Sequence, residues 1–391
     1  MLQRIGTGLA CCVLSLASIG SSVGHGTELI VSANDGKHVR VGGAGTYPVG
    51  APSDTLTVLD VSSLTPRVVA EIEVKHTLLG PPQEVALTPD GRYAVVSAPN
   101  HYDHDAKAIV FENHLQIVDL AAKKIIDRVD VGSHPQGVAI NRAGTLLLAC
   151  TVAGEVVVLE ITDGRFTVRD KLKISDRRLS GVSFTHDGKA AMVGLRDEQG
   201  LMVLDVDGSK VTTNRERVAT GVSPYSVEVS SDGKWAVVNN AGLAGLANSG
   251  QLSADVDSFT LIDVSRRPFR AVQHVTVPAT PEGVTISPNG RWIAAQSMGG
   301  SNLLTSNPSR NTPGRVLLFE NRNGIVRKTG DLPGGEAAQG IIFSADGRRL
   351  LVQFNVEKQI AVYTNEAGRL RDTGIRVPLS AGPASIRSVP R

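Results

Sequence analysis

One phrase returns along this chain, and it limits what the chain can fold into. "PQEVALTPDGRYAVVS", from Pro82 to Ser97, reappears as "PQGVAINRAGTLLLAC" from Pro135, "PYSVEVSSDGKWAVVN" from Pro224 and "PEGVTISPNGRWIAAQ" from Pro281. Its turn glycines fall at Gly91, Gly144, Gly188, Gly233, Gly290 and Gly347, spaced 44 to 57 residues apart. Each copy has the same grammar: a short alternating strand, an Asp-Gly or Asn-Gly pair (Ala143-Gly144 in one copy), and a second strand directly after. Glycine supplies the positive φ that a tight hairpin needs, and Asp or Asn closes the turn with its side chain.

Third strands follow at a similar interval, as "LQIVDL", "EVVVLEI", "GLMVLDV", "SFTLIDV", "RVLLFEN" and "QIAVYTN", and lead to outer strands such as "KIIDRVDV" and "RAVQHVTV". This is the period of a four-stranded propeller blade. A seventh unit is divided between the chain ends. "PASIRSV" (Pro383 to Val389) has the pattern of an innermost strand, while "ELIVSAN" (Glu28 to Asn34), "DTLTVLDV" and "RVVAEIEV" supply the second, third and fourth. The sequence therefore predicts an all-β, seven-bladed β-propeller of four-stranded antiparallel blades, its ring closed by pairing N- and C-terminal strands in one blade. One blade cannot bury its apolar faces alone, and closure leaves no free edge between first and last.

The units, reading roughly Pro-x-Gly-Val-x-Ile-Ser-x-Asp-Gly-Arg/Lys, resemble the YVTN-type repeats of secreted bacterial propellers. They are also similar to the lactonase-like propellers, the 6-phosphogluconolactonase-like and muconate-cyclising enzymes. The likeness runs from Glu28 to Val389 and is carried by turn and core residues, so it implies a fold and leaves activity open. The Tyr-Val-Thr-Asn consensus itself is present only loosely, in "AVYTN" and "WAVVNN".

The amino terminus, "MLQRIGTGLACCVLSLASIGSSVGHG", has an early Arg4, an apolar run of about a dozen residues and then small residues. This reads as a signal peptide over residues 1–25, with the propeller over 26–391 and a periplasmic or secreted product. The run is too short for a comfortable membrane span, which needs about 20 residues. Of three cysteines, Cys11 and Cys12 fall in this segment; Cys150, in an apolar strand, is expected as a buried core residue. Forty basic against 38 acidic side chains, with no run of one sign, and 4% aromatic residues exclude nucleic acid as an expected partner.

Function in a propeller is sought where the loops before the innermost strands and those between second and third strands share one face. Four of the latter are long: 35–53, 98–113, 241–257 and 298–314. "NHYDHDAKAIVFENH" brings His101, Asp103 and His104 close in sequence, all types that bind a divalent metal, though the spacing matches no established signature. The leading positions of the inner strands, Gln83, Gln136, Tyr225, Glu282 and Gln339, could form a polar ring, with Arg178 and Arg196 available for a carboxylate or phosphate. His134 and Glu282 are the acid/base candidates. Glu228 and Arg387 stand where other inner strands have small or apolar residues, so both line a hydrated channel or each has a partner. The reading is an exported binding or interaction protein, expected to be a monomer, taking a small anionic molecule or a protein partner at this face. Its alternative is a lactonase-like hydrolase or cycloisomerase, metal-assisted if the histidine-rich loop holds an ion.

Overall fold

The computed structural model describes residues 27–242 and 255–391, so the proposed signal segment and most of the 241–257 loop lie outside the described residues. The described residues form seven four-stranded antiparallel sheets and two small two-stranded ones, with no helix among them. Counted in chain order, the first blade holds Leu29–Asp35, Thr55–Asp60 and Arg67–Glu73, with Gly382–Ser388 as its innermost strand. The innermost strands of blades two to seven are Val85–Leu87, Pro135–Ile140, Val182–Phe184, Pro224–Val229, Pro281–Ile286 and Ile341–Phe343.

The repeated phrase encodes one hydrogen-bonded corner. All six turn glycines have φ between 68° and 70°. In the second blade the Thr88 hydroxyl accepts from the Tyr93 N–H at 3.0 Å while Asp90 accepts from the Arg92 N–H at 3.0 Å. Thr185 with Asp187, Ser230 with Asp232, Ser287 with Asn289 and Ser344 with Asp346 repeat the pattern. In the third blade, which lacks the turn Asp, the Asn141 carboxamide takes over and accepts from Thr145 and Leu146 N–H at 2.9 and 3.1 Å. Such turns fix strand register, so alternate side chains meet the neighbouring blade on each side.

The core is a set of seams between blades. Leu148, Cys150 and Val158 of the third blade meet Val182, Phe184 and Ala191 of the fourth, and Cys150 is fully buried with its thiol's proton affinity raised by desolvation. Tyr363, from "AVYTN", is also fully buried, its hydroxyl donating to the Pro333 carbonyl at 2.8 Å. The seam that closes the ring gathers Ile30, Leu59, Leu351, Ile360, Val377 and Ile386. Here the chain ends pair antiparallel, Ile30 opposite Ser388 and Ser32 opposite Ile386, within one residue of the predicted bounds.

Side chains cross the hub. The Gln83 side chain leaves the second blade and reaches the fifth, where its Oε1 accepts from the Val227 N–H at 3.0 Å and its Nε2 donates to the Val227 carbonyl. Directly beyond, Arg387 of the first blade reaches Glu228 of the fifth at 3.1 Å, each about one-fifth exposed or less. The two charges expected either to be hydrated or to have partners are thus partners of each other. Removing Gly382 to Arg391 should abolish the cooperative thermal transition, because it strips the first blade's innermost strand and takes Ile386 out of the closing seam. A truncated chain that still melted cooperatively within about 5 °C of the full chain would show that ring closure is dispensable.

Candidate functional site

Two of the long loops carry secondary structure of their own. The first-blade loop forms a hairpin of Val39–Val41 with Ala44–Thr46, and the second-blade loop one of Asn100–Asp103 with Ala108–Phe111. A buried cluster anchors the first: Lys37 Nζ lies 3.3 Å from Asp35 and 2.8 Å from Asp54, and Asp54 also accepts from the Gly36 and His76 N–H groups. Burial, with Asp54 nearby, pushes the Asp35 carboxyl up to about 6 despite Lys37. The two hairpins meet through Tyr47 and Tyr102, stacked with ring centroids 4.3 Å apart. On its other side the first hairpin joins the sixth-blade loop, where Thr305 N–H donates to the Gly42 carbonyl at 2.9 Å and Arg40 Nη1 to the Asn302 carbonyl at 3.2 Å. Gly43 (φ 85°) allows this approach, since a Cβ there would lie 2.0 Å from the Leu303 carbonyl oxygen.

At this face the inner strands present a compact charged group. Arg196 Nη1 donates to Gln136 Oε1 at 2.9 Å, and its guanidinium sits 4.7 Å from the Tyr225 ring centroid. Glu282 feels Arg196 and Arg40, yet desolvation dominates and its carboxyl is pushed up to about 7. Neither Arg196 nor Arg40 has a carboxylate ion-pair partner among the described residues; the Arg40 Nε is buried with no acceptor. Tyr225 is held in its neutral form chiefly by burial.

The residue that the sequence reading passed over is Glu84. It is fully buried, and neither carboxylate oxygen has a hydrogen-bond partner. Its proton affinity is raised well above the usual value of 4.5 by desolvation, with Arg196 opposing and Asp35 and Glu282 adding to the rise. A signal was available. The residue one beyond the leading position is Gly137, Gly181, Ser226, Gly283, Gly340 or Ser385 in the other blades. Those positions abut the next blade: a Cβ on Gly137 would stand 2.5 Å from the Ser180 carbonyl oxygen. Room for a carboxyl in the second blade comes from Gly80, where a Cβ would fall 1.6 Å from Glu84 Oε1.

The other sequence-derived candidates divide. Gln136, Arg196, Tyr225 and Glu282 come together as described. Gln83 spans the hub, so it is spent on structure rather than presented at the mouth. Gln339 donates to the Ala337 carbonyl at 3.1 Å and is buried. Arg178 is held by both oxygens of Asp197, each at 2.7 Å. His134 lies under the second hairpin, its Nδ1 donating to the Glu112 carbonyl at 2.9 Å and its ring 4.5 Å from that of Phe111; it makes no bond to Glu282. His101, Asp103 and His104 do not converge. His101 bonds Glu112 at 3.0 Å, Asp103 accepts from the Asp105 and Ala106 N–H groups of its own turn, and His104 packs edge-on against Tyr102. No group of three or more metal-ligating side chains occurs among the described residues.

No protein-family model and no curated protein matches the sequence, so the YVTN-type likeness rests on the repeated phrases themselves. Solved structures do match. A protein from Bacteroides fragilis assigned as a 6-phosphogluconolactonase has a TM-score of 0.68 at 16% identity, covering 93% of this chain and 98% of that one. The shared fold is the seven-bladed β-propeller. The periplasmic gluconolactonase of Pseudomonas aeruginosa has a TM-score of 0.62 at 16% identity over 93% of this chain and 99% of its own. The same architecture is found in the hydrazine synthase of Kuenenia stuttgartiensis (TM-score 0.59, 20% identity, 80% and 90% covered). At such identities the likeness speaks for the wheel and not for its chemistry.

Glu84 offers a direct check of the electrostatics. Its folded-state proton affinity exceeds that of the unfolded chain, near 4.5, so the folded state retains a proton that the unfolded chain has lost and stability falls as pH rises above that point. Glu84→Gln should therefore raise the melting temperature at about pH 8 and have little effect near about pH 4. A gain that does not grow with pH, followed by thermal melts, would place the carboxyl in a wetter setting.

Proposed function

We propose that the protein acts on a small anionic lactone at the face capped by the two hairpins, opening or closing the ring with Glu282 as the group that moves the proton and the buried Glu84 as its neutral neighbour. The observation that carries this reading is the arrangement of two carboxyls with raised proton affinity around one guanidinium free of any carboxylate partner. The kinship in fold to proteins named as lactonases favours it over a binding module that performs no turnover.

The chemistry follows from the two environments. In the hydrolytic direction Glu282, at about 7, is ionised in an appreciable fraction near neutrality and takes a proton from water as its oxygen bonds to the carbonyl carbon. The ring C–O bond then breaks, and the departing oxygen receives the proton that Glu282 took from water, which returns Glu282 to its starting state; Glu84, fully buried and kept neutral, adds no competing negative charge beside it. The product is a hydroxy acid. Arg196 and Arg40 hold the substrate's anionic group or the developing oxyanion, where a low dielectric makes each charge-assisted bond count. Gln136 fixes Arg196, and Tyr225 supports the guanidinium from below.

Purified protein should hydrolyse members of a panel of carboxylated or phosphorylated lactones above the uncatalysed rate. Glu282→Gln should lower kcat by about 100-fold or more with KM little changed, since general base catalysis contributes on that scale. Arg196→Ala should chiefly raise KM. For a base at about 7, kcat/KM should climb as pH rises through 7 and level off above it. No turnover of any panel member, with an anionic lactone still bound in an Arg196-dependent way, would return the protein to the binding reading.

A further inference from the structure

A second cavity lies at the opposite end of the hub, beyond the Gln83 bridge. Its volume is about 130 Å³, and inner-strand residues of all seven blades line it. A cavity of about 150 Å³ accepts one benzene ring, so this space is of single-ring size. Its wall is mixed: Ala86, Ala139, Ile342 and Phe343 give it an apolar side, and Ser183, Glu228 and Arg387 a polar one.

The charges around it are unequal in their pairing. Arg387 is engaged by Glu228 at 3.1 Å, and Arg391 by Glu28 at 2.8 Å. Arg142, at the rim, has no carboxylate partner among the described residues. Its Nη1 donates to His186 Nε2 at 2.8 Å, which requires that nitrogen to be unprotonated and leaves the guanidinium charge uncompensated. A ring-sized chamber with an apolar side, whose other arginines are already paired and whose rim carries one arginine free of a carboxylate, has the complement of an amphipathic anion.

We propose that this lower chamber binds a small monocarboxylate whose body is a single ring or short hydrocarbon chain, with the carboxylate on Arg142 and the body against Ala86, Ala139 and Phe343. The site is separate from the upper face: the Gln83 bridge lies between the two, and the Arg387–Glu228 pair belongs to this chamber's own wall.

Benzoate and hexanoate titrated into the full chain, followed by calorimetry and by NMR line shifts, test this. Binding of either should weaken by about ten- to a hundred-fold in Arg142→Ala, the range for losing a charge-assisted contact. Ala139→Leu, which fills the chamber, should abolish binding while a cooperative melt confirms that it folds. Glu282→Gln should leave binding unchanged, which separates this site from the upper one. Absence of binding of both acids at about 10 mM, equal affinity in Arg142→Ala, or normal affinity in a folded Ala139→Leu would each overturn the proposal.

Discussion

The pairing of Gly382–Ser388 with Leu29–Asp35 is the constraint on which the rest of this molecule depends. A blade is stable only between two neighbours, and an open row of seven would leave apolar faces exposed at both ends. Joining the two chain ends within one sheet converts a row into a ring, and it does so with backbone hydrogen bonds whose register the alternating side chains enforce. Once the ring is closed, the inner strands converge on a narrow hub. Side chains from blades that are not neighbours can then touch, as Gln83 touches Val227 and Arg387 touches Glu228. The upper charged group and the lower cavity are both consequences of that convergence.

The upper face shows how a repeat departs from itself to bury a charge-bearing side chain. Glycine or serine follows the leading position in six blades because the next blade's backbone crosses close by. In the second blade the neighbouring connection carries Gly80, and the vacated space admits the Glu84 carboxyl without giving it a hydrogen-bond donor. A buried acid without partners lowers stability and is held neutral instead. Glu282, half-buried and nearer to two arginines, is shifted less. Two carboxyls of one chemical kind are thereby set to different proton affinities by surroundings alone, which is the condition for dividing acid and base roles.

The wheel was legible because its information is periodic. Turn glycines, hydroxyl and carboxylate caps and alternating strands recur at every corner, so each copy corroborates the others, and even the split blade could be placed from "PASIRSV" and "ELIVSAN". The site was legible only in part. Gln136, Arg196, Tyr225 and Glu282 lie at positions the repeat defines, and those assembled. His134 and Arg178 also lie on that face, but local partners, the Glu112 carbonyl and the Asp197 carboxylate, claim them, and no spacing rule reveals such competition. Gln83 was misread because a side chain long enough to cross the hub looks, in sequence, like its neighbours at the rim. The hairpins that cap the mouth and the turn that occupies Asp103 likewise depend on contacts between segments far apart in the chain.

The Gln83 bridge has a consequence for traffic. A solute that enters beneath the tyrosine-capped hairpins meets that side chain, with the Arg387–Glu228 pair just past it, before the far rim. The two rims of the wheel thus face separate halves of one axis, parted by side chains from blades that are not neighbours.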